Sequence, residues 1–377
     1  MLETQETDVL VVGGSAAGLA TARALQQAGL RFEILEATDA VAMPWRHHYD
    51  RLHLHTPRSS SGLPGMPMPR DYPRYPSRDQ VVAYLEAYAE RFGLRPRFGR
   101  RVTRLDRADG RWVADVAGGE RWTARHVVVA TGAARRPVRP SWPGMSEYEG
   151  DLLHSSEYRN GDPWAGRDVL VVGFGNSACE LAIDLVERGA RPHLSVRAPV
   201  NVIPRDMLGV VPVLQLGIAM RHVPTGLADA LAAPLVRLTV GDITATGLRK
   251  LPYGPNTQIR RDRHIPLLDI GTMAHIRAGR IEVHGDIERF THAGVVLDDG
   301  TWLEVAAVVL ATGYEPGLAD FLPEWRAVCD ESGRPRVSGG ATALPGLYFC
   351  GQFVSPAGML REIGLESQRI AAAITGT

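Results

Sequence analysis

Val9-Leu10-Val11-Val12-Gly13-Gly14-Ser15-Ala16-Ala17-Gly18 and Val169-Leu170-Val171-Val172-Gly173-Phe174-Gly175-Asn176-Ser177-Ala178 are two versions of one pattern. In each, a short run rich in β-branched residues meets a glycine-rich turn and then a stretch with helical apolar spacing. Strand, turn and helix in that order form a dinucleotide cradle. The first glycine makes the turn, the second admits a pyrophosphate close to the backbone, and the third lets helix and strand pack. The helix N-terminus then faces the phosphates. One such unit binds one dinucleotide, so two imply two cofactors held face to face, and the usual pair is a flavin and a nicotinamide.

Around the first motif, residues 16–28 read as a helix and 31–35 as a strand that ends at Glu36. Gly13 and Gly18 fill the outer glycine roles, while Ser15 occupies the middle one and offers its hydroxyl as a compensating donor. Ala17 stands in the same turn. Glu36 is placed to hold a ribose hydroxyl, and its charge would repel a 2′-phosphate, so this site is expected to take FAD. Around the second motif, 169–172, 177–188 and 193–196 repeat strand, helix and strand, but the last strand runs into Arg197 instead of an acid. A guanidinium there favours a 2′-phosphate, so Gly173, Gly175 and Arg197 are expected to hold NADPH. Asn176 and Ser177 sit where their side chains can cap the helix or touch the cofactor.

The chain of 377 residues is long enough for two domains, and its 42 basic and 42 acidic residues balance, which argues against nucleic acid as a partner. The first eight residues are acidic and run into a strand, unlike a secretory signal. The longest apolar stretch, 209–220, is far short of a bilayer span, so no membrane anchor and a cytoplasmic location are expected. Three cysteines without CxxC spacing disfavour a disulfide framework, a zinc site and a dithiol redox centre.

Two further strands, 127–130 and 305–311, end in Thr131-Gly132 and Thr312-Gly313, where the chain is expected to pass between domains. The fold class is thus α/β, with two Rossmann-like dinucleotide-binding domains, the second inserted in the first. The FAD domain is expected over 1–160 and 305–377, with 137–166 as linker. The NADPH domain is expected over 165–304, with a largely helical, apolar insertion at about 207–251. The long Pro-, Gly-, His- and Arg-rich loop 37–77 is of the kind that carries function. Thr131 and Gly132 are expected to border FAD, and Thr312 and Gly313 to border NADPH or the domain seam. After the strand 345–350 comes Gly351. A C-terminal helix from Met359 and Leu360 can then aim backbone N–H groups at the flavin pyrimidine.

Between the two fingerprints stands Tyr148-Glu149-Gly150-Asp151-Leu152-Leu153-His154-Ser155-Ser156-Glu157-Tyr158. It resembles the FxGxxxHxxxY signature of class B flavin-containing monooxygenases, with Tyr148 in place of Phe. With 49–55, 84–90 and 204–209, which also match, the chain is most similar to the YUCCA-type indole-3-pyruvate monooxygenases, from about residue 8 to 370. Tyr158 matches flavin-containing monooxygenases, whereas Baeyer–Villiger enzymes carry Trp there. The resemblance implies that NADPH reduces FAD, that O₂ adds at the flavin C4a, and that the adduct oxygenates a small organic substrate while NADP⁺ stays bound. It implies oxidative decarboxylation of an aryl 2-oxo acid, with N- or S-oxygenation, Baeyer–Villiger oxidation, or a flavin-binding redox protein without oxygenation as alternatives.

By the same resemblance His55 occupies the position at which many members use an Asn near the flavin, and it is the candidate catalytic residue, while Trp45 is expected against FAD. The loop histidines His47, His48, His53 and His55 have no carboxylate or Cys at helical ligand spacing, so no metal is expected. The 207–251 region reads equally as a wall of the substrate path or as a homodimer face.

Overall fold

The computed structural model describes residues 4–219, 223–353, 355 and 357–376; Met220, within the apolar stretch noted above, lies outside them. Strands form where β-branched runs alternate or are buried on both faces. In chain order the main ones are β1 (Thr4–Val12), β2 (Phe32–Leu35), β3 (Val102–Ala108), β4 (Arg111–Val116), β5 (Arg121–Val129), β6 (Asp151–His154), β7 (Asp168–Val172), β8 (Arg191–Ser195), β9 (Glu282–His284), β10 (Ala307–Leu310) and β11 (Leu347–Phe349). The main helices are α1 (Ala16–Gln27), α2 (Arg78–Arg91), α3 (Asn176–Glu187), α4 (Thr225–Val240) and α5 (Met359–Thr375). Helix α2 starts at a reciprocal capping box in which Ser77 and Gln80 satisfy each other's backbone N–H groups.

The chain divides into two compact units, the first comprising 1–47, 56–136 and 314–377, the second 48–55 and 137–313. In unit 1 the sheet order is β2-β1-β5-β4-β3, with β11 also beside β5. Strands β1, β2, β5 and β11 run parallel, while the β3–β4–β5 edge is antiparallel. Helix α1 packs against α5. Unit 2 holds a five-stranded sheet, β9-β8-β7-β10-β6, parallel throughout. One face of it packs α3 through Val169, Val171, Leu194 and Val309. The other face, through Leu170, Val172, Val308 and Leu310, packs an antiparallel meander formed by Ile287–Thr291, Gly294–Leu297 and Trp302–Glu304.

The unit boundaries differ from the expected 160/165 and 304/305. Residues 137–160 are not linker, because they supply β6, which pairs with β10 from Ala307↔Asp151 to Leu310↔His154. Strand β10 in turn pairs with β7 and so belongs to unit 2. The segment 48–55 also folds with unit 2, burying Tyr49 in the α3 core. The 207–251 region contains helices Val213–Ala219 and α4, preceded by a small hairpin of Asp206–Met207 and Val211–Pro212. Of the α4 residues only Ala228 and Val240 are buried, and Leu227, Leu231 and Leu238 are exposed. No helix among the described residues is long and apolar enough to cross a membrane.

Candidate active site

In unit 1 the first glycine motif is shaped by close backbone approach. Gly13 has φ +113°, and a Cβ there would lie 2.6 Å from the Ala130 carbonyl oxygen. A Cβ on Gly18 would lie 1.8 Å from the Gly13 carbonyl oxygen, which no L side chain survives. The turn therefore brings the start of α1 against the ends of β1 and β5. Ser15 is the N-cap of α1, and its side chain makes no capping bond, so the first N–H groups of the helix stay available to an anion.

Glu36, directly after β2, accepts hydrogen bonds from Gly14 N–H (2.6 Å), Thr38 N–H (2.8 Å) and Thr38 Oγ1 (2.7 Å). The carboxylate is thus fixed beside the glycine turn, where a ribose hydroxyl would meet it. Ala17 is buried, and a Cβ on Gly351 (φ +75°) would come within 3.0 Å of the Ala17 Cβ. Helix α5 begins at Met359 and Leu360 after Gly358, with no side-chain cap. Trp45 lies half-buried in the short helix Met43–Arg46. Gly132 takes φ +80° next to Thr131.

Among the unit 1 residues with buried polar atoms that lack a partner among the described residues are Thr131, through its hydroxyl, and Gln352, through both side-chain atoms. A buried amide left bare costs about 1–3 kcal/mol per group, so such groups mark where a polar ligand completes the structure. Sequence reading included Thr131 but missed Gln352, and it also missed Glu366. The buried Glu366 carboxylate accepts from Gly351 N–H (2.6 Å) and Ser338 Oγ (2.8 Å), holding the Gly351 turn, and burial raises its pKa above the usual carboxylate range. A Gly cradle, a fixed acid, two open helix N-termini and unpartnered polar groups together fit FAD.

In unit 2 the same geometry recurs. Gly173 has φ +123°, and a Cβ there would stand 2.7 Å from the Ala311 carbonyl oxygen. Gly175 is the N-cap of α3, which has no side-chain cap. Of the two roles open to Asn176, capping the helix is not the one it takes. Its Oδ1 accepts from Leu268 N–H (2.9 Å) and ties the strand Leu267–Asp269 to α3. Ser177, next in α3, is half-buried. Arg197 is exposed, and its guanidinium has no ion pair among the described residues. Arg249, which sequence reading missed, donates to the Arg197 carbonyl, so two guanidinium-bearing residues meet there. Both suit a phosphate-bearing nicotinamide cofactor.

The remaining unit 2 residues have structural partners. The Thr312 hydroxyl donates to the Val138 carbonyl (2.5 Å), and the Gly313 carbonyl accepts from Val138 N–H (3.0 Å) and His154 Nε2 (3.1 Å). The signature 148–158 is a staple. The Tyr148 hydroxyl donates to the Val305 carbonyl, and the buried Tyr158 hydroxyl donates to Asp184 of α3 (2.7 Å), with its ring stacked on Trp164. His55 falls in unit 2. Its Nε2 bonds to the buried Glu180 of α3, and its buried Nδ1 has no partner among the described residues. Arg51 grips Glu187 bidentately (2.9 and 3.0 Å) and reaches Glu180 at 3.6 Å. All three cysteines are free and buried, and burial pushes the Cys329 thiol up to about 11 and Cys350 up to about 12, as expected of inert thiols.

Residues 10–209 match the family model described as pyridine nucleotide-disulphide oxidoreductase. Indole-3-pyruvate monooxygenase YUCCA1 of Oryza sativa subsp. japonica is 41% identical over 328 residues, which cover 85% of this chain and 80% of that protein. Among solved structures, a flavin-containing monooxygenase from Stenotrophomonas maltophilia superposes with TM-score 0.75 at 23% identity, covering 99% of both chains. An oxidized steroid monooxygenase bound to NADP superposes with TM-score 0.77 at 20% identity, covering 98% of this chain and 84% of that one.

Proposed function

The chain belongs to the YUCCA-type flavin monooxygenases, and from that premise we propose that its substrate is an aryl 2-oxo acid of the indole-3-pyruvate kind. The single observation that carries the substrate reading is the 41% identity to a protein named for that reaction. In balance, the oxo acid, O₂, NADPH and a proton give the acid one carbon shorter, CO₂, NADP⁺ and water. Bound FAD supplies the electron-transfer and oxygen-transfer chemistry.

The chain's own residues bind, orient and exclude water. Gly13, Gly18 and the open start of α1 receive the FAD pyrophosphate, Glu36 its ribose, and Thr131 and Gln352 further polar atoms of the cofactor. Arg197 with Arg249 receives the NADPH 2′-phosphate beside the Gly173 turn. His55, fixed through Nε2 by Glu180, keeps Nδ1 to hold or pass a proton in the reaction. Tyr148, His154 and Tyr158 keep the 148–158 staple in place.

The experiment is product analysis of the FAD-loaded protein with NADPH, O₂ and, separately, indole-3-pyruvate, a sulfide and a cyclic ketone. NADPH oxidation coupled to indole-3-acetate and CO₂ supports the assignment. Hydrogen peroxide as the sole product from the oxo acid, together with a sulfoxide or a lactone from the other substrates, overturns it.

A further inference from the structure

We infer that unit 2 carries a binding site for one divalent transition-metal ion, of the zinc type, formed by His193 Nδ1, His284 Nε2 and a carboxylate oxygen of Glu282. Strand pairing sets the three side chains side by side. Glu282 is the register partner of His193 across the β8–β9 pair, and His284 lies two residues further along β9. Alternation puts all three on one face of the sheet, opposite Leu194 and Val283, which face the α3 core. Asp168 of β7 shares that face, through its register partner Arg191. Strand β9 is the edge of the sheet, so the cluster is open on one side.

The distances are those of a coordination sphere. His193 Nδ1 and His284 Nε2 are 3.0 Å apart, and Glu282 Oε2 lies 3.5 Å from the first and 3.6 Å from the second. Metal bonds of about 2.1 Å at tetrahedral angles place ligand atoms about 3.4 Å apart. The three atoms thus already stand near the corners of one face of such a tetrahedron, leaving the fourth corner to water.

The tautomers point the same way. His193 Nε2 lies 3.1 Å from Asp168 Oδ1, and because a carboxylate only accepts, this nitrogen carries the proton. In the neutral imidazole Nδ1 is then a lone-pair acceptor aimed into the cluster. A hydrogen bond from His284 would account for the nitrogen–nitrogen contact. A cation among the three atoms would instead take the His193 lone pair, the His284 nitrogen and the Glu282 oxygen together. Asp168 behind His193 completes a carboxylate–histidine–metal arrangement, and Arg191 holds Asp168 in turn through Nε at 2.9 Å. Two imidazoles and one carboxylate suit zinc and its borderline neighbours better than calcium or magnesium. His193 and Glu282 come from strands far apart in sequence, so no local spacing announces the site.

The test is calorimetric titration of chelator-stripped, FAD-loaded full-length protein with ZnCl₂. The wild type is expected to take up one ion per chain at this site. His284→Ala and the exposed-side variant Glu282→Gln are expected to lose this binding event, and Asp168→Asn to weaken it by about 10- to 100-fold. Flavin absorbance and the metal-free melting temperature of Glu282→Gln show that the fold is intact. A second readout is the melting temperature, which zinc should raise in the wild type and leave unchanged in His284→Ala. An isotherm shared by the wild type, His284→Ala and Glu282→Gln, or no uptake by the wild type at about 100 μM zinc, would overturn the site.

Discussion

His55 and Glu180 form a hydrogen-bonded pair, Nε2 to Oε1, in which a histidine from the 48–55 segment is held by a carboxylate buried in the first turns of α3. Glu180 is 1% exposed and His55 half-buried. Breaking the pair from the acid side leaves a part-buried donor without its acceptor. Glu180→Ala is therefore expected to lower stability by about 1–3 kcal/mol and Glu180→Gln by less, since an amide oxygen still accepts. Urea denaturation of the two variants decides it, and equal midpoints for wild type and Glu180→Ala would remove the pair from the stability account.

The Gly13–Gly18 contact makes a sharper demand. Gly18→Ala puts a methyl group 1.8 Å from a backbone oxygen, so α1 must move off β1, and the preparation is expected to lose its yellow colour. Gly29→Ala is the control. It also has positive φ (+70°) but meets nothing within 4 Å, so it should cost about 1 kcal/mol and keep FAD. Flavin content per chain is the measurement, and full occupancy in Gly18→Ala contradicts the assignment of this turn.

Gln352 gives an effect whose sign reverses on cofactor loading. Its buried amide has no partner among the described residues, so Gln352→Leu should stabilise the cofactor-free protein. If the amide binds FAD in the loaded protein, FAD affinity should fall by about tenfold, as for the loss of about 1.4 kcal/mol. Parallel thermal melts with and without FAD read both signs. Unchanged FAD affinity would mean that the amide faces something else.

Arg249 donates to the Arg197 carbonyl, which brings a second cation to the residue proposed for the 2′-phosphate. Arg197→Ala should reduce the preference for NADPH over NADH by about 1–3 kcal/mol, and Arg197→Ala/Arg249→Ala by more. The ratio of kcat/KM for the two coenzymes measures it. An unchanged ratio in the double variant clears both residues of that role.

Acid sensitivity follows from three imidazoles. Burial holds His126, His154 and His275 below the usual histidine range. In the unfolded chain they bind protons near pH 6.5, so as pH falls the unfolded state takes up protons first. The stability present above about pH 6.5 is then lost as pH falls through that value toward the folded pKa. Urea midpoints should therefore drop between about pH 7.5 and 5.5, less steeply in His154→Gln. A midpoint that rises over that interval would contradict the sign.

Much of the fold was legible because its signals are local. The runs 9–12 and 169–172, each followed by glycine and helical spacing, place β1, α1, β7 and α3. What was not legible depends on pairing across long separations. Nothing in 151–154 announces that it will lie beside 307–310, so this strand reads as linker. Gln352 and Glu366 look like ordinary tail residues until the Gly351 turn buries them. His55 was found as a residue, but its partner Glu180, 125 positions away, was not.

The order of segments has a consequence for synthesis. Strand β5 waits for β11, and α1 for α5, so unit 1 needs residues 314–377, which are made after unit 2. Everything in unit 2 except the early 48–55 strap is translated before them. The inner half of the chain can thus acquire protease resistance while the earlier-made outer half still lacks its closing strand and helix, and stalled nascent chains released just after residue 313 would display that difference.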